Sequence, residues 1–255
     1  MQFSFPDGNA VRINCPDSAS LLRQVRDNLS VGQGFALATI NVDHLQRLGE
    51  EAPFRKAYAA QDLVCADGNP IVWLSRIAGK PVSLAPGSDL VLPLAQEAAA
   101  QGLPIGLIGS NDASLALAAK AMQARVPGLQ VAMTHAPGFP FDPTGPEGAQ
   151  IIDKIRASGA RLCFLALGAP KQEIFAIRAR DALGNVGFAS IGAGLDFLSG
   201  HQKRAPKWAR QIKMEWMWRM LSNPKRLAAR YAKGFTILPA HAAAAWRQRQ
   251  EPKRG

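Results

Sequence analysis

The chain has 255 residues, 47% of them apolar, enough for one sizeable core and an appendage. Its net charge of +11 is concentrated: residues 1–200 hold 16 Lys/Arg against 17 Asp/Glu, a net of −1, whereas residues 201–255 hold 14 against 2, a net of +12. Such an asymmetry points to an anionic surface and excludes nothing about the fold.

Cys15, Cys65 and Cys163 are scattered, without the close pairs of zinc or redox motifs, and fit a reducing compartment. The first residues, Met-Gln-Phe-Ser-Phe-Pro-Asp, contain no basic segment leading into an apolar one, so no signal peptide is expected. The longest uncharged runs, such as Val126 to Phe141, contain proline and fall short of the roughly 18 residues that cross a bilayer.

In chain order, Phe35-Ala-Leu-Ala-Thr-Ile predicts a strand ending at Asn41, and Val42 to Ala60 carries charges at helical spacing. Leu63-Val-Cys-Ala is a short apolar run ahead of Asp67-Gly68. Ile105-Gly-Leu-Ile predicts a strand ending in Gly109-Ser110, with Asn111-Asp112 capping a helix over 113–124. Arg161 to Leu167 predicts a strand ending at Gly168, followed by a helix from near Pro170. Gly187-Phe-Ala-Ser-Ile predicts a strand entering a glycine-rich turn. This alternation is that of an α/β core with a mostly parallel sheet flanked by helices.

Ligands of such sheets lie beyond the carboxyl ends of the strands. Thr39, Asn41, Gly109, Ser110, Gly168, Lys171, Gln172 and the segment Gly192 to Asp196 all fall at such ends and are expected to share one crevice.

Beyond Gly200 the pattern becomes helical. Trp208, Trp216, Trp218 and several methionines interleave with Lys and Arg, and Asn223-Pro224 reads as a break between two helices. Three readings are open for this segment: an interfacial helix with indoles at headgroup depth, a helical hairpin packed on the core, and a nucleic-acid arm.

Several segments could carry chemistry. Asp67, emerging at an element end beside a glycine, could act as a general base, or could be an ordinary Asp-Gly turn. Gly168-Ala-Pro-Lys-Gln-Glu sets a glycine turn, a helix start and Lys171 together, which suits a diphosphate or a simple capped helix. Gly192-Ala-Gly-Leu-Asp196 reads as pocket wall, and Pro86-Gly87-Ser88-Asp89 as a turn with an N-cap. His44, His135, His201 and His241 lack ligand spacing and there is no Asp-x-Asp pair, so no metal is expected.

Taken in order, Thr39-Ile-Asn41, Ala66-Asp67-Gly68, Pro86-Gly87-Ser88-Asp89-Leu90, Gly109-Ser110, Leu167 to Glu173, Gly192 to Phe197, Arg204-Ala-Pro-Lys-Trp208 and Glu215-Trp216 to Arg219 resemble the WecG/TagA/CpsF family of glycosyltransferases. The resemblance spans about residues 35 to 231. It implies a Rossmann-like core over residues 1–200 that binds a UDP-sugar, and a basic amphipathic appendage over 201–255 that docks on the membrane and completes the site. The implied reaction is an inverting transfer, without a metal or other cofactor, to a saccharide on undecaprenyl diphosphate.

By resemblance Asp67 is the base, with Thr39, Asn41 and Gln172 around the reacting sugars. Gly109, Ser110, Gly168, Pro170, Lys171, Gly192 and Asp196 are assigned to the nucleotide sugar, and Arg219, Arg226 and Arg230 to the leaving diphosphate. Leu84 departs from the pattern, because the family usually has arginine just before the Pro-Gly turn. The implied setting is cytoplasmic, on the inner face of the membrane, with an anionic lipid surface as partner, no nucleic acid, and a homo-oligomer left open. The alternative is a non-catalytic nucleotide-sugar or nucleic-acid binding protein that keeps the fold.

Overall fold

Strands that run in parallel must be covered on both faces, and β3 (Phe35–Ile40) accordingly is buried at every position. It belongs to a sheet with β4 (Leu63–Ala66), β5 (Ile105–Gly109), β6 (Val131–His135), β7 (Leu162–Ala166) and β8 (Gly187–Ser190). The order across the sheet is β4-β3-β8-β7-β5-β6, and every adjacent pair is parallel. Ahead of it, β1 (Gln2–Ser4) and β2 (Ala10–Arg12) form an antiparallel hairpin. The computed structural model describes residues 1–200 and 224–250, with side chains described from 233 onwards in the latter segment.

Helices complete the layers: α1 (Ser18–Val31), α2 (Val42–Glu50), α3 (Ala52–Ala59), α4 (Asn69–Ile77), α5 (Gly87–Ala100), α6 (Asp112–Arg125), α7 (Pro146–Ser158), α8 (Lys171–Leu183) and the short α9 (Gly194–Leu198). The period of two along β3 divides its side chains between faces. Phe35 and Leu37 join the apolar cluster under α1, α5 and α6, whereas Ala38 and Ile40 join a cluster with α2, α3 and α4. A third cluster lies beneath α7 and α8, with Phe141, Phe175 and Phe188 in edge-on contact.

The stretch Val42 to Ala60 differs from the expected continuous helix. It divides at Glu51, which is extended (φ −109°, ψ 98°) before Pro53 restarts the helix in its first turn. Proline lacks an N–H and its ring crowds the preceding turn, so the first turn of a helix is where it fits at least cost. The Pro86 segment likewise opens a 14-residue helix and is not an isolated turn.

The basic segment contributes the helix Pro224–Gln250. Its described side chains Ile237, Leu238, Ala242 and Ala245 pack into the cluster of α2, α3 and α4, with Ala245 only 1% exposed. His241 meets Phe3 edge-on at 5.6 Å, and a Cβ at Gly234 would lie 2.8 Å from Val42 Cγ1. Among the described residues, no helix is long and apolar enough to cross a membrane.

Candidate active site

The carboxyl ends of the strands feed directly into helix N-termini, and this arrangement makes the crevice. Asn41 ends β3 and caps α2, its side-chain oxygen accepting from the His44 N–H at 3.0 Å. Thr39, two residues earlier, is buried and pairs in register with Cys65 of β4.

The Asp67 N–H donates to the Ile40 carbonyl at 2.8 Å, so its place beside Asn41 is fixed by one further rung of the β3–β4 ladder. Gly68 follows with φ +110°, a conformation that L side chains rarely adopt, and turns the chain into α4. Asp67 thus directly precedes the N-terminus of α4. The charge of Asp67 reaches inward, adding to the burial that raises the Tyr58 phenol and the Cys65 thiol above their ordinary values.

Two contacts close the crevice around Asp67. The Ala85 N–H donates to the Ala66 carbonyl at 2.8 Å, which sets Leu84, 40% exposed, alongside the end of β4. Gly87, the first residue of α5, approaches so closely that a Cβ there would lie 3.1 Å from the Ile191 carbonyl and 3.3 Å from Thr39 Oγ1. β3, β8 and α5 therefore meet at Thr39.

The residues that the resemblance assigns to the nucleotide sugar form a second group. Ser110 stands at the end of β5 with φ 51°, and its hydroxyl donates to Asp196 Oδ1 at 2.6 Å, tying β5 to α9. The Ser110 N–H donates to the Ala166 carbonyl, and Asn111 caps α6 through the Ser114 N–H at 2.9 Å. At Gly192 (φ +57°) and Gly168 (φ +74°) an added Cβ would meet nothing within 4 Å among the described residues.

The third group starts α8. Lys171 follows Pro170, but its ammonium is placed over the Phe139 ring, 5.8 Å from the centroid, and Phe139 itself is 96% exposed. The Gly168 turn is braced by Arg47, whose guanidinium donates to the Ala169 carbonyl at 2.6 Å and to Glu51 at 2.8 Å. Gln172 and Glu173 are buried side by side, Gln172 Nε2 donating to Glu173 Oε1 at 2.8 Å. Burial pushes the Glu173 carboxyl up to about 7.

The structure thus gathers Thr39, Asn41, Asp67, Gly109, Ser110, Gly168, Pro170, Lys171, Gln172, Gly192 and Asp196 at one end of the sheet. Arg226 and Arg230 belong to the helix Pro224–Gln250, with their side chains outside the described residues, and Arg219 lies outside them altogether. Sequence reasoning missed Arg47, Phe139 and Glu173. Only Glu173 stood inside a quoted motif, where an acid in a first helical turn reads as an exposed dipole partner. Among the described residues, no three or more His, Cys, Asp or Glu are placed to hold a metal ion. The three cysteines are free and buried, burial pushing the Cys15 thiol up to about 11 and the Cys163 thiol to about 12, so none is a ready nucleophile.

Helix N-termini at α2, α4, α5, α6, α8 and α9 all follow strand ends or loops on this edge, an arrangement that favours an anionic ligand such as a phosphate. An acid at the same edge adds a proton acceptor. The sequence matches the model of the Glycosyl transferase WecG/TagA/CpsF family over residues 9–255, nearly its whole length, and the chain belongs to that family: it is a glycosyltransferase of cell-surface polysaccharide synthesis.

Proposed function

We propose that the chain transfers a sugar from a UDP-sugar to a saccharide carried on undecaprenyl diphosphate, with inversion at the anomeric carbon. The supporting observation is the position of Asp67, anchored through its N–H to Ile40 beside Asn41 and ahead of the α4 N-terminus. A carboxylate there takes the proton of the acceptor hydroxyl as that oxygen bonds to the anomeric carbon. The bond to the β-phosphate oxygen breaks on the opposite face, and its electron pair leaves with UDP.

Thr39, Asn41 and Gln172 surround the reacting sugars in this reading. The turns at Gly109, Ser110, Gly168, Pro170, Lys171, Gly192 and Asp196 receive the nucleotide. The charge that develops on UDP is met by the helix N-termini and by Arg219, Arg226 and Arg230, which do the work a metal ion does elsewhere. The donor sugar is N-acetylmannosamine, its uronic acid or glucose. Leu84, exposed next to the end of β4 where the family usually has arginine, makes this chain's sugar or acceptor recognition its own. Arg, Lys and Trp residues of the 201–255 segment hold the enzyme on the anionic inner face of the cytoplasmic membrane.

The test is a panel of UDP-sugars with a synthetic lipid-linked acceptor, reading released UDP. One donor is expected to support turnover, and Asp67→Asn to lower kcat at least 100-fold. Undiminished transfer by the Asn variant would remove Asp67 as the base.

A further inference from the structure

Gln172 and Glu173 open α8 and are almost completely inaccessible to solvent, 2% and 0% exposed. Within the pair, Gln172 Nε2 donates to Glu173 Oε1. The remaining oxygen of each, Gln172 Oε1 and Glu173 Oε2, is buried without a hydrogen-bond partner among the described residues. Buried acceptors are rarely left in this state, and those that are call for an explanation.

Among the described residues, no ion pair is formed by the Glu173 carboxylate. Arg47 of α2 is the cation felt at Glu173, yet its guanidinium is committed to Glu51 and to the Ala169 carbonyl. From α3, the Tyr58 hydroxyl meets His44 Nδ1 at 3.2 Å and feels the charges of both Glu173 and Asp67. Gln61 Nε2 donates to the backbone carbonyls of Ala57 and Glu173, each at 3.2 Å. Among the described residues, the one side-chain hydrogen-bond partner of Glu173 is the neighbouring amide.

That amide has a donor end and an acceptor end, and binding one decides which is presented to a ligand. One of the two Gln172 N–H groups is committed to Glu173, which holds the amide one way round and leaves its carbonyl oxygen, unpartnered among the described residues, on the residue one helical turn beyond Gly168. We propose that Glu173 is a positioning residue that orients the Gln172 amide, reserving its carbonyl oxygen for a hydrogen-bond donor on the substrate, a sugar hydroxyl or an N-acetyl N–H. This inference rests on the reading that Gln172 touches the reacting sugars. It adds that the group recognised there must donate, so a deoxy or O-methyl sugar at that position is a poor substrate.

The experiment compares Gln172→Met, Glu173→Met, Glu173→Gln and the Gln172→Met/Glu173→Met double variant in the released-UDP assay, with kcat and KM for donor and acceptor. Glu173→Gln keeps an acceptor oxygen and is expected within threefold of wild type. Glu173→Met is expected to lose at least tenfold in kcat/KM, and the double variant to be no worse than Gln172→Met alone, the non-additivity of groups acting as a unit. Methionine in place of a buried acid is expected to melt at or above the wild-type temperature, which separates lost positioning from unfolding.

Three results overturn the proposal: full activity in Glu173→Met alongside an impaired Gln172→Met, a Glu173→Gln variant as poor as Glu173→Met, or losses that multiply in the double variant. Full activity in Gln172→Met removes the underlying contact with the sugars, and Glu173's role with it.

Discussion

The Ser110 hydroxyl donates to Asp196 across 86 residues of sequence, joining the end of β5 to α9 at 2.6 Å. This bond ties α9 to the carboxyl end of β5, where the proposed function seats the nucleotide. Ser110→Ala is expected to cost about 1 kcal/mol of stability, the usual net value of one hydrogen bond. The donor KM should rise several-fold with little change in kcat, because the loss falls on binding. Urea unfolding and initial rates at varied donor concentration check both; a fall in kcat with unchanged KM would place Ser110 in the chemical step.

Gly109 is the tightest backbone approach at the same strand end. A Cβ there would lie 2.4 Å from the Ala166 carbonyl carbon and oxygen, on a residue with φ +116°. Gly109→Ala is therefore expected to destabilise by about 3 kcal/mol or more, combining strain and overlap. Gly168→Ala, where no described residue lies within 4 Å, should pay only for its left-handed backbone, about 1–2 kcal/mol. Thermal melts of the two variants give the order, and equal losses would contradict the geometry.

Glu173 predicts a pH dependence of stability. Its carboxyl ordinarily titrates near 4.5 and is pushed up to about 7 by burial in the folded chain. Between those values the folded state holds a proton that the unfolded state has released, so stability falls as pH rises and the loss is complete above about 7. At about 1.4 kcal/mol per pKa unit the loss is about 3 kcal/mol. Unfolding midpoints at pH 5 and pH 8 should differ less in Glu173→Met than in wild type; parallel declines would show that Glu173 titrates normally.

Ala245 offers a test of the docked C-terminal helix. It is 1% exposed in the cluster with Phe3, Leu45 and Ile71. Ala245→Asp places a charge among apolar side chains, with an expected cost of about 3 kcal/mol or more, or release of the helix from the core. Limited proteolysis within 233–250 reads the release directly. Protection equal to wild type would mean that the helix is held elsewhere.

The parallel sheet was legible because β3, β5, β7 and β8 are short apolar runs that end in Asn41, Gly109, Gly168 or a glycine-rich turn. β6 was not, since this edge strand is only partly buried and its Val-Ala-Met-Thr-His has no continuous apolar run. The three-residue strands of the β1–β2 hairpin are too short to show a period. Strand ends could be placed from sequence, and with them Thr39, Asn41, Asp67 and Gln172. Contacts made across the sheet could not: Ser110 with Asp196, Arg47 with the Ala169 carbonyl, and the burial of Glu173 join elements whose approach no local pattern encodes.

Gly234 presses against Val42, and Val42 is the residue after Asn41. The basic segment is therefore splinted to the helix that Asn41 caps. A cut at Gly200 would also strip Ile237, Leu238, Ala242 and Ala245 from the flank of α2 and α4, leaving a greasy scar there. Shortened forms of this protein should clump before they fall silent, and the remedy is to keep the helix Pro224–Gln250 in any truncated version.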